Sequence, residues 1–88
     1  MDTLWHVYVV ECADGTLYTG ITTDLVRRIG EHNDSRKGAR YTRAKRPVKL
    51  MYSEAAASRS DASKREHELK RLSRTDKLEL IQSYTVPI

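Results

Sequence analysis

The stretch Leu4-Trp5-His6-Val7-Tyr8-Val9-Val10-Glu11-Cys12-Ala13-Asp14-Gly15-Thr16-Leu17-Tyr18-Thr19-Gly20-Ile21-Thr22 decides the fold. Leu4 to Cys12 and Thr16 to Thr22 are both rich in β-branched and aromatic residues, and Asp14-Gly15 lies between them. That pattern reads as a β-hairpin. Strand faces alternate with period two, so the length of the loop decides which side chains share a face. A two-residue Asp14-Gly15 loop sends Tyr8 and Tyr18 to opposite faces. A three-residue Ala13-Asp14-Gly15 loop, with Gly15 left-handed in a G1 bulge, pairs Val10 with Tyr18 and Tyr8 with Gly20, and both tyrosines then share a face. Glycine at the third position suits the longer loop, but these residues alone leave both open.

Beyond the hairpin, Thr22-Thr23-Asp24 offers N-caps for a helix over Asp24 to Asn33. Helical spacing puts Leu25, Arg28, Ile29 and His32 on one stripe bordering the sheet and turns Arg27 away. Asn33 to Arg46 reads as a loop or short helix. Pro47 to Glu54 returns to strand character, with Val48, Leu50 and Tyr52 alternating against Lys49, Met51 and Ser53. A helix capped by Ser60 or Ser58 then runs to about Leu72, its inner stripe formed by Ala62, Glu66 and Leu69, with His67 and Glu68 off it. Ser73-Arg74-Thr75-Asp76 resembles a capping box that opens a last helix, which packs Leu78, Ile81, Leu80 and Tyr84. The fold class is α+β: a three-stranded, largely antiparallel sheet flanked by helices.

A chain of 88 residues has room for one domain, so residues 1–88 are expected to form a single unit. Sixteen Lys and Arg against twelve Asp and Glu give a formal charge of +4, which favours a polyanionic partner. The lone Cys12 makes neither an internal disulfide nor a thiolate metal cluster and fits a reducing cytoplasm. No run approaches the ~18 apolar residues of a membrane span, and no basic-then-apolar leader opens the chain.

Five polar residues fall on inward faces: Tyr8, Tyr18, Arg28, His32 and Glu66. Singly, each has an ordinary structural role. A strand tyrosine packs its ring, Arg28 lays its stem over Leu25 and pairs with a carboxylate, His32 caps the last helical carbonyls, and Glu66 pairs with Lys70 one turn on. Together they have a chemistry, because phosphodiester cleavage needs a base for water, a cation for the developing phosphorane charge and a metal anchor. One carboxylate cannot build a two-metal site, whereas Mg²⁺ keeps several waters and often takes one or two carboxylates plus substrate phosphate. A free phenol has a pKa of about 10, so its use as a base requires tuning by Arg28 or by a metal–phosphate complex.

The order of these residues resembles the GIY-YIG nuclease superfamily. Tyr18-Thr19-Gly20, Arg28 ten residues after the tyrosine and His32 four later carry the likeness, with His6-Val7-Tyr8 as the first motif. The run from Tyr18 to Leu25 looks especially like the small standalone bacterial members, and Gly38 to Pro47 and Ala62 to Leu72 extend the likeness over nearly the whole chain. The resemblance implies a three-stranded sheet flanked by helices and hydrolysis of DNA that depends on Mg²⁺ or Mn²⁺. It implies one motif tyrosine, Tyr8 or Tyr18, as general base or water-orienting group. Arg28 would steady the scissile phosphate, His32 would assist proton transfer, and Glu66 would bind the metal. It also favours the three-residue hairpin loop. His6, Val7 and Thr19 depart from the motif letters, and no asparagine follows Glu66, the only one being Asn33.

Substrate contact is expected from the basic segment Arg36, Lys37, Arg40, Tyr41, Arg43, Lys45 and Arg46, together with Lys49. The leading expectation is a cytoplasmic, divalent-metal-dependent DNA endonuclease of low sequence specificity, acting on branched or nicked DNA in repair or recombination. The alternative is a catalytically weak nucleic-acid-binding module that a protein partner targets.

Overall fold

A computed structural model describes residues 4–34 and 45–83. β1 spans Trp5–Glu11 and β2 Leu17–Thr22. They pair antiparallel with Tyr8 opposite Gly20 and Val10 opposite Tyr18, the register of the three-residue loop. Gly15 stands at φ +85°, where an L side chain would be strained, and its N–H bonds back to the Cys12 carbonyl at 2.9 Å. Asp14 fixes the turn by accepting from the Thr16 N–H at 3.0 Å and the Thr16 hydroxyl at 2.6 Å. Those two bonds, with Lys45 nearby, hold its carboxyl down at about 2.

Helix α1 covers Leu25–Asp34; Asp24 caps it by accepting from the Arg27 N–H at 3.1 Å. The third strand, β3, runs from Lys49 to Ala56 and pairs antiparallel with β1, so the strand order is β2-β1-β3. It starts later than the sequence suggests and ends later, because its pairing follows β1 back to Trp5 opposite Ala56. One feature of the strand reading is corrected. Val9 pairs with Tyr52 and Val10 with Leu50, so a bulge at Met51 breaks the alternation. Val48 and Leu50 pack on the α1 side of the sheet, while Met51 and Tyr52 pack on the other.

Helices α2, Arg59–Lys70, and α3, Arg74–Gln82, follow, capped by Ser58 and Ser73, whose hydroxyls accept from Asp61 N and Asp76 N at 3.1 Å each. Ala62, Leu69 and Ile81 from these helices close over Val7 and Val9. The expected packing of Leu78 is also corrected: it is 37% exposed, and Ile81 and Leu80 do the packing for α3. Tyr84 lies outside the described residues. On the opposite face Tyr8, Val10, Cys12 and Val48 form a second cluster under Leu25 and Ile29 of α1. Two thin apolar layers therefore sandwich the sheet, and the polar site grows out of the one beneath α1. Among the described residues, no helix is long and apolar enough to cross a membrane.

Candidate active site

Tyr8 is central because β1 is the middle strand and its side chain is almost wholly buried under α1. The ring crosses the backbone of β2 at Gly20: a Cβ there would stand 2.5 Å from the Tyr8 hydroxyl and 2.7 Å from Cζ. Gly20 is thus the seat that lets the phenol reach its partner. The Tyr8 hydroxyl lies 2.8 Å from Nε2 of His32, which is fully buried on the last turn of α1. Tyr18 meets the same imidazole edge-on, with ring centroids 5.5 Å apart, and Tyr8 does so at 5.8 Å. Both tyrosines share the face the three-residue loop requires.

Burial sets the protonation states. It pushes the Tyr8 phenol up to about 12 against a lesser pull from the Arg28 guanidinium beside it, with Tyr18 and Glu66 adding small upward pushes. It pushes His32 down to about 4, helped by the positive charge of Arg28. Near neutral pH the pair is therefore an intact phenol and a neutral imidazole. Tyr8 donates to Nε2 when the imidazole proton sits on Nδ1, and accepts from it in the other tautomer. Arg28 pulls the phenol in the downward direction a base requires, but desolvation outweighs it.

Arg28 is half-buried and bonds Glu31 at 3.0 Å, one turn along α1. Its neighbour Arg27 is exposed, as the helical stripe requires. Glu66 lies on α2, half-buried, with Lys70 3.5 Å away, and is close enough for its charge to act on Tyr8. Tyr8, Tyr18, Arg28 and His32 thus converge beneath α1, whereas Glu66 stands on the helix whose Ala62 and Leu69 pack against the other face of the sheet, its carboxylate paired with Lys70.

Of the expected phosphate-binding residues, Arg36, Lys37, Arg40, Tyr41 and Arg43 lie outside the described residues. Lys45 pairs with Asp14 at 3.2 Å. Arg46 donates to the carbonyls of His32 and Glu31, which end α1. Lys49 is exposed on β3. The carbonyl-capping role considered for His32 belongs to Arg46, which leaves the imidazole for Tyr8.

Three positioning residues escape a reading of sequence. Glu31 holds Arg28. Asn33 clamps Val48, donating to its carbonyl at 3.1 Å and accepting from its N–H at 2.7 Å. Arg46 ties the same helix end. The i,i+3 spacing of Arg28 and Glu31 is a signal for the first, whereas the Asn33–Val48 clamp bridges fifteen residues and has none.

Among the described residues no group of three or more His, Cys, Asp and Glu stands together as a metal cage. A single half-buried carboxylate suits Mg²⁺ or Mn²⁺ whose remaining ligands are water and substrate phosphate, since such ions rarely use all-protein cages. Glu66 is the half-buried carboxylate whose chemistry fits that role.

A three-stranded sheet presenting paired tyrosines, an arginine and a histidine beside one glutamate defines a class. The chain belongs to the GIY-YIG catalytic domain family, which matches residues 4–79. Within that family its relatives are UPF0213 proteins. It is 62% identical over 79 residues to one from Desulfotalea psychrophila, covering 90% of this chain and 72% of that one. It is 54% identical over 72 residues to one from Halobacterium salinarum, covering 82% and 92%. The solution structure of the UPF0213 protein of Bacillus halodurans matches with a TM-score of 0.60 at 44% identity, over 96% of this chain and 88% of that one.

Proposed function

We propose that residues 1–88 act as one domain that hydrolyses phosphodiester bonds in DNA, with low sequence specificity and with Mg²⁺ or Mn²⁺ held by Glu66. The observation that carries the reading is the buried Tyr8–His32 pair at 2.8 Å with the Arg28 guanidinium beside it. A phenol and an imidazole kept in contact at a cost in desolvation, next to a cation, suit proton movement beside a phosphate better than they suit packing.

Arg28 binds and orients the scissile phosphate and offsets charge as it builds on the phosphoryl oxygens, exchanging its contact with Glu31 for that role. Tyr8 orients the attacking water, and in the tautomer with the imidazole proton on Nδ1 the Nε2 of His32 can accept a proton relayed through the phenol. Tyr18, edge-on to the imidazole, fixes its plane. A metal ion held at Glu66 would supply positive charge to offset that of the scissile phosphate. Branched or nicked DNA, a place in repair or recombination, a targeting partner and a cytoplasmic location complete the proposal. Arg36, Lys37, Arg40, Tyr41, Arg43 and Lys49 are the residues assigned to phosphate contact in this reading.

The test is incubation of the purified chain with nicked, branched and linear duplexes, with Mn²⁺ or with EDTA. The reading expects strand cleavage only with metal. Binding without cleavage on any substrate would favour the alternative, a nucleic-acid-binding module acting with a partner.

A further inference from the structure

We infer that Glu31 occupies the seat of the substrate phosphate on Arg28, a built-in competitor that limits DNA affinity until the strand displaces it. The inference rests on the role given to Arg28 above and extends it to how the substrate is admitted.

A guanidinium receives a carboxylate and a phosphate oxygen through the same planar array of N–H donors, so one can stand in for the other. Oε1 of Glu31 accepts from Nη1 of Arg28 at 3.0 Å. The two side chains are 23% and 18% exposed, and among the described residues no other ion pair keeps both partners below a quarter. An ordinary helical pair of this spacing lies in solvent and is screened there. This one borders the phenol, because the guanidinium that Glu31 holds is the one that acts on Tyr8.

The placement is a poor one for a carboxylate that serves the helix alone. Glu31 stands in the last turn of α1, where the helix dipole disfavours negative charge, and it is half-buried. Arg27, four residues back and exposed, would offer it a partner on the solvent side. Instead the carboxylate turns three residues back to the inward Arg28. Its backbone is held as well, since Arg46 donates to the Glu31 carbonyl at 3.2 Å. A phosphodiester carries the same single charge as this carboxylate, so exchanging one for the other on Arg28 gains little Coulomb energy. Arg28 is therefore largely withheld from DNA while Glu31 keeps its charge.

The experiment measures binding of the intact chain to a short labelled duplex in EDTA, by fluorescence anisotropy, from 50 to 200 mM KCl. Wild type is compared with Glu31→Gln, Arg28→Ala and the double variant, and with Glu79→Gln, which removes the same charge from an exposed position on α3. Thermal melts confirm that each variant folds, and Glu31→Met supplies an uncharged side chain of similar size if the glutamine is not tolerated. Glu31→Gln binds about tenfold tighter than wild type at 50 mM KCl, because Arg28 is free to make a charge-assisted bond to phosphate. Its salt slope is steeper by about 0.9, so the gain shrinks about 3.5-fold by 200 mM. In the Arg28→Ala background the gain falls to that of Glu79→Gln, under about twofold. A gain no larger than that of Glu79→Gln, or one that survives the loss of Arg28, overturns the inference. If wild type still cleaves DNA with metal in that case, the nuclease reading survives it. A gain that requires Arg28, in a protein that binds but never cleaves, keeps the competitor and removes the nuclease reading; if wild type neither binds nor cleaves, both fall.

Discussion

Gly20→Ala is the substitution whose consequence the structure defines most sharply. The new methyl would stand 2.5 Å from the Tyr8 hydroxyl, 2.7 Å from Cζ and 3.1 Å from Cε2, where ordinary contact begins at 3.4 Å. The hydroxyl must retreat by about 0.9 Å. The ring is 1% exposed and cannot swing into solvent, so the retreat stretches or bends its 2.8 Å bond to His32 past hydrogen-bonding geometry. Overpacking of this kind costs about 1–3 kcal/mol, and a misplacement near 1 Å at a reacting group costs about 100-fold in rate. Single-turnover cleavage of nicked duplex beside a thermal melt reads both. In a Tyr8→Phe background the clash with Cζ remains, so Gly20→Ala still lowers the melting temperature there. A Gly20→Ala protein with wild-type rate and melting temperature would refute the assignment of Gly20 as the seat of the phenol.

Three other outcomes follow from the same geometry. Arg28→Ala loses cleavage rate by about 100-fold or more while Arg27→Ala changes it by less than about twofold, measured at saturating DNA, since only Arg28 borders the phenol; equal losses would contradict the helical-stripe argument. His32 is held at about 4 when folded against an ordinary 6.5, so the unfolded chain takes up the proton first on acidification. Stability is full above about pH 6.5 and falls as pH drops toward 4, by up to about 3 kcal/mol, a loss that denaturant titrations across this range detect and that His32→Gln removes. Asn33→Ala leaves the Val48 N–H and carbonyl without their partners and lowers stability by about 1–3 kcal/mol in urea unfolding, with Asn33→Asp retaining part of the effect through its acceptor oxygen.

Much of this was legible in local chemistry. The hairpin itself was legible, and Gly15 suited the three-residue loop without deciding it; the observed register brings Tyr8 and Tyr18 to one face. Ser73 marked a helix start because a hydroxyl there satisfies an N–H three residues on, and of the two serines offered for the preceding helix it is Ser58 that does so. What was hidden depends on distant pairing. The bulge at Met51 arises where β3 must match both halves of β1, and it moves Tyr52 to the far side of the sheet. Arg46 reads in sequence as one more cation of a basic run, yet it caps α1 and Lys45 is tied to the hairpin loop. The direction of the Tyr8 shift was equally hidden, since desolvation depends on how completely α1 covers the ring. Glu66 was legible as a carboxylate on an apolar stripe; it is half-buried and pairs with Lys70 one turn on, the ordinary role that spacing also suggested.

The account stands on Glu66 acting as the metal anchor for chemistry at Tyr8, Arg28 and His32. Glu66→Gln, which keeps the shape and removes the charge, is the direct measurement: cleavage of nicked duplex in Mn²⁺ alongside affinity for the same DNA in EDTA. The account predicts that metal-dependent cleavage disappears while affinity stays within about twofold of wild type. Cleavage at the wild-type rate by Glu66→Gln would contradict it.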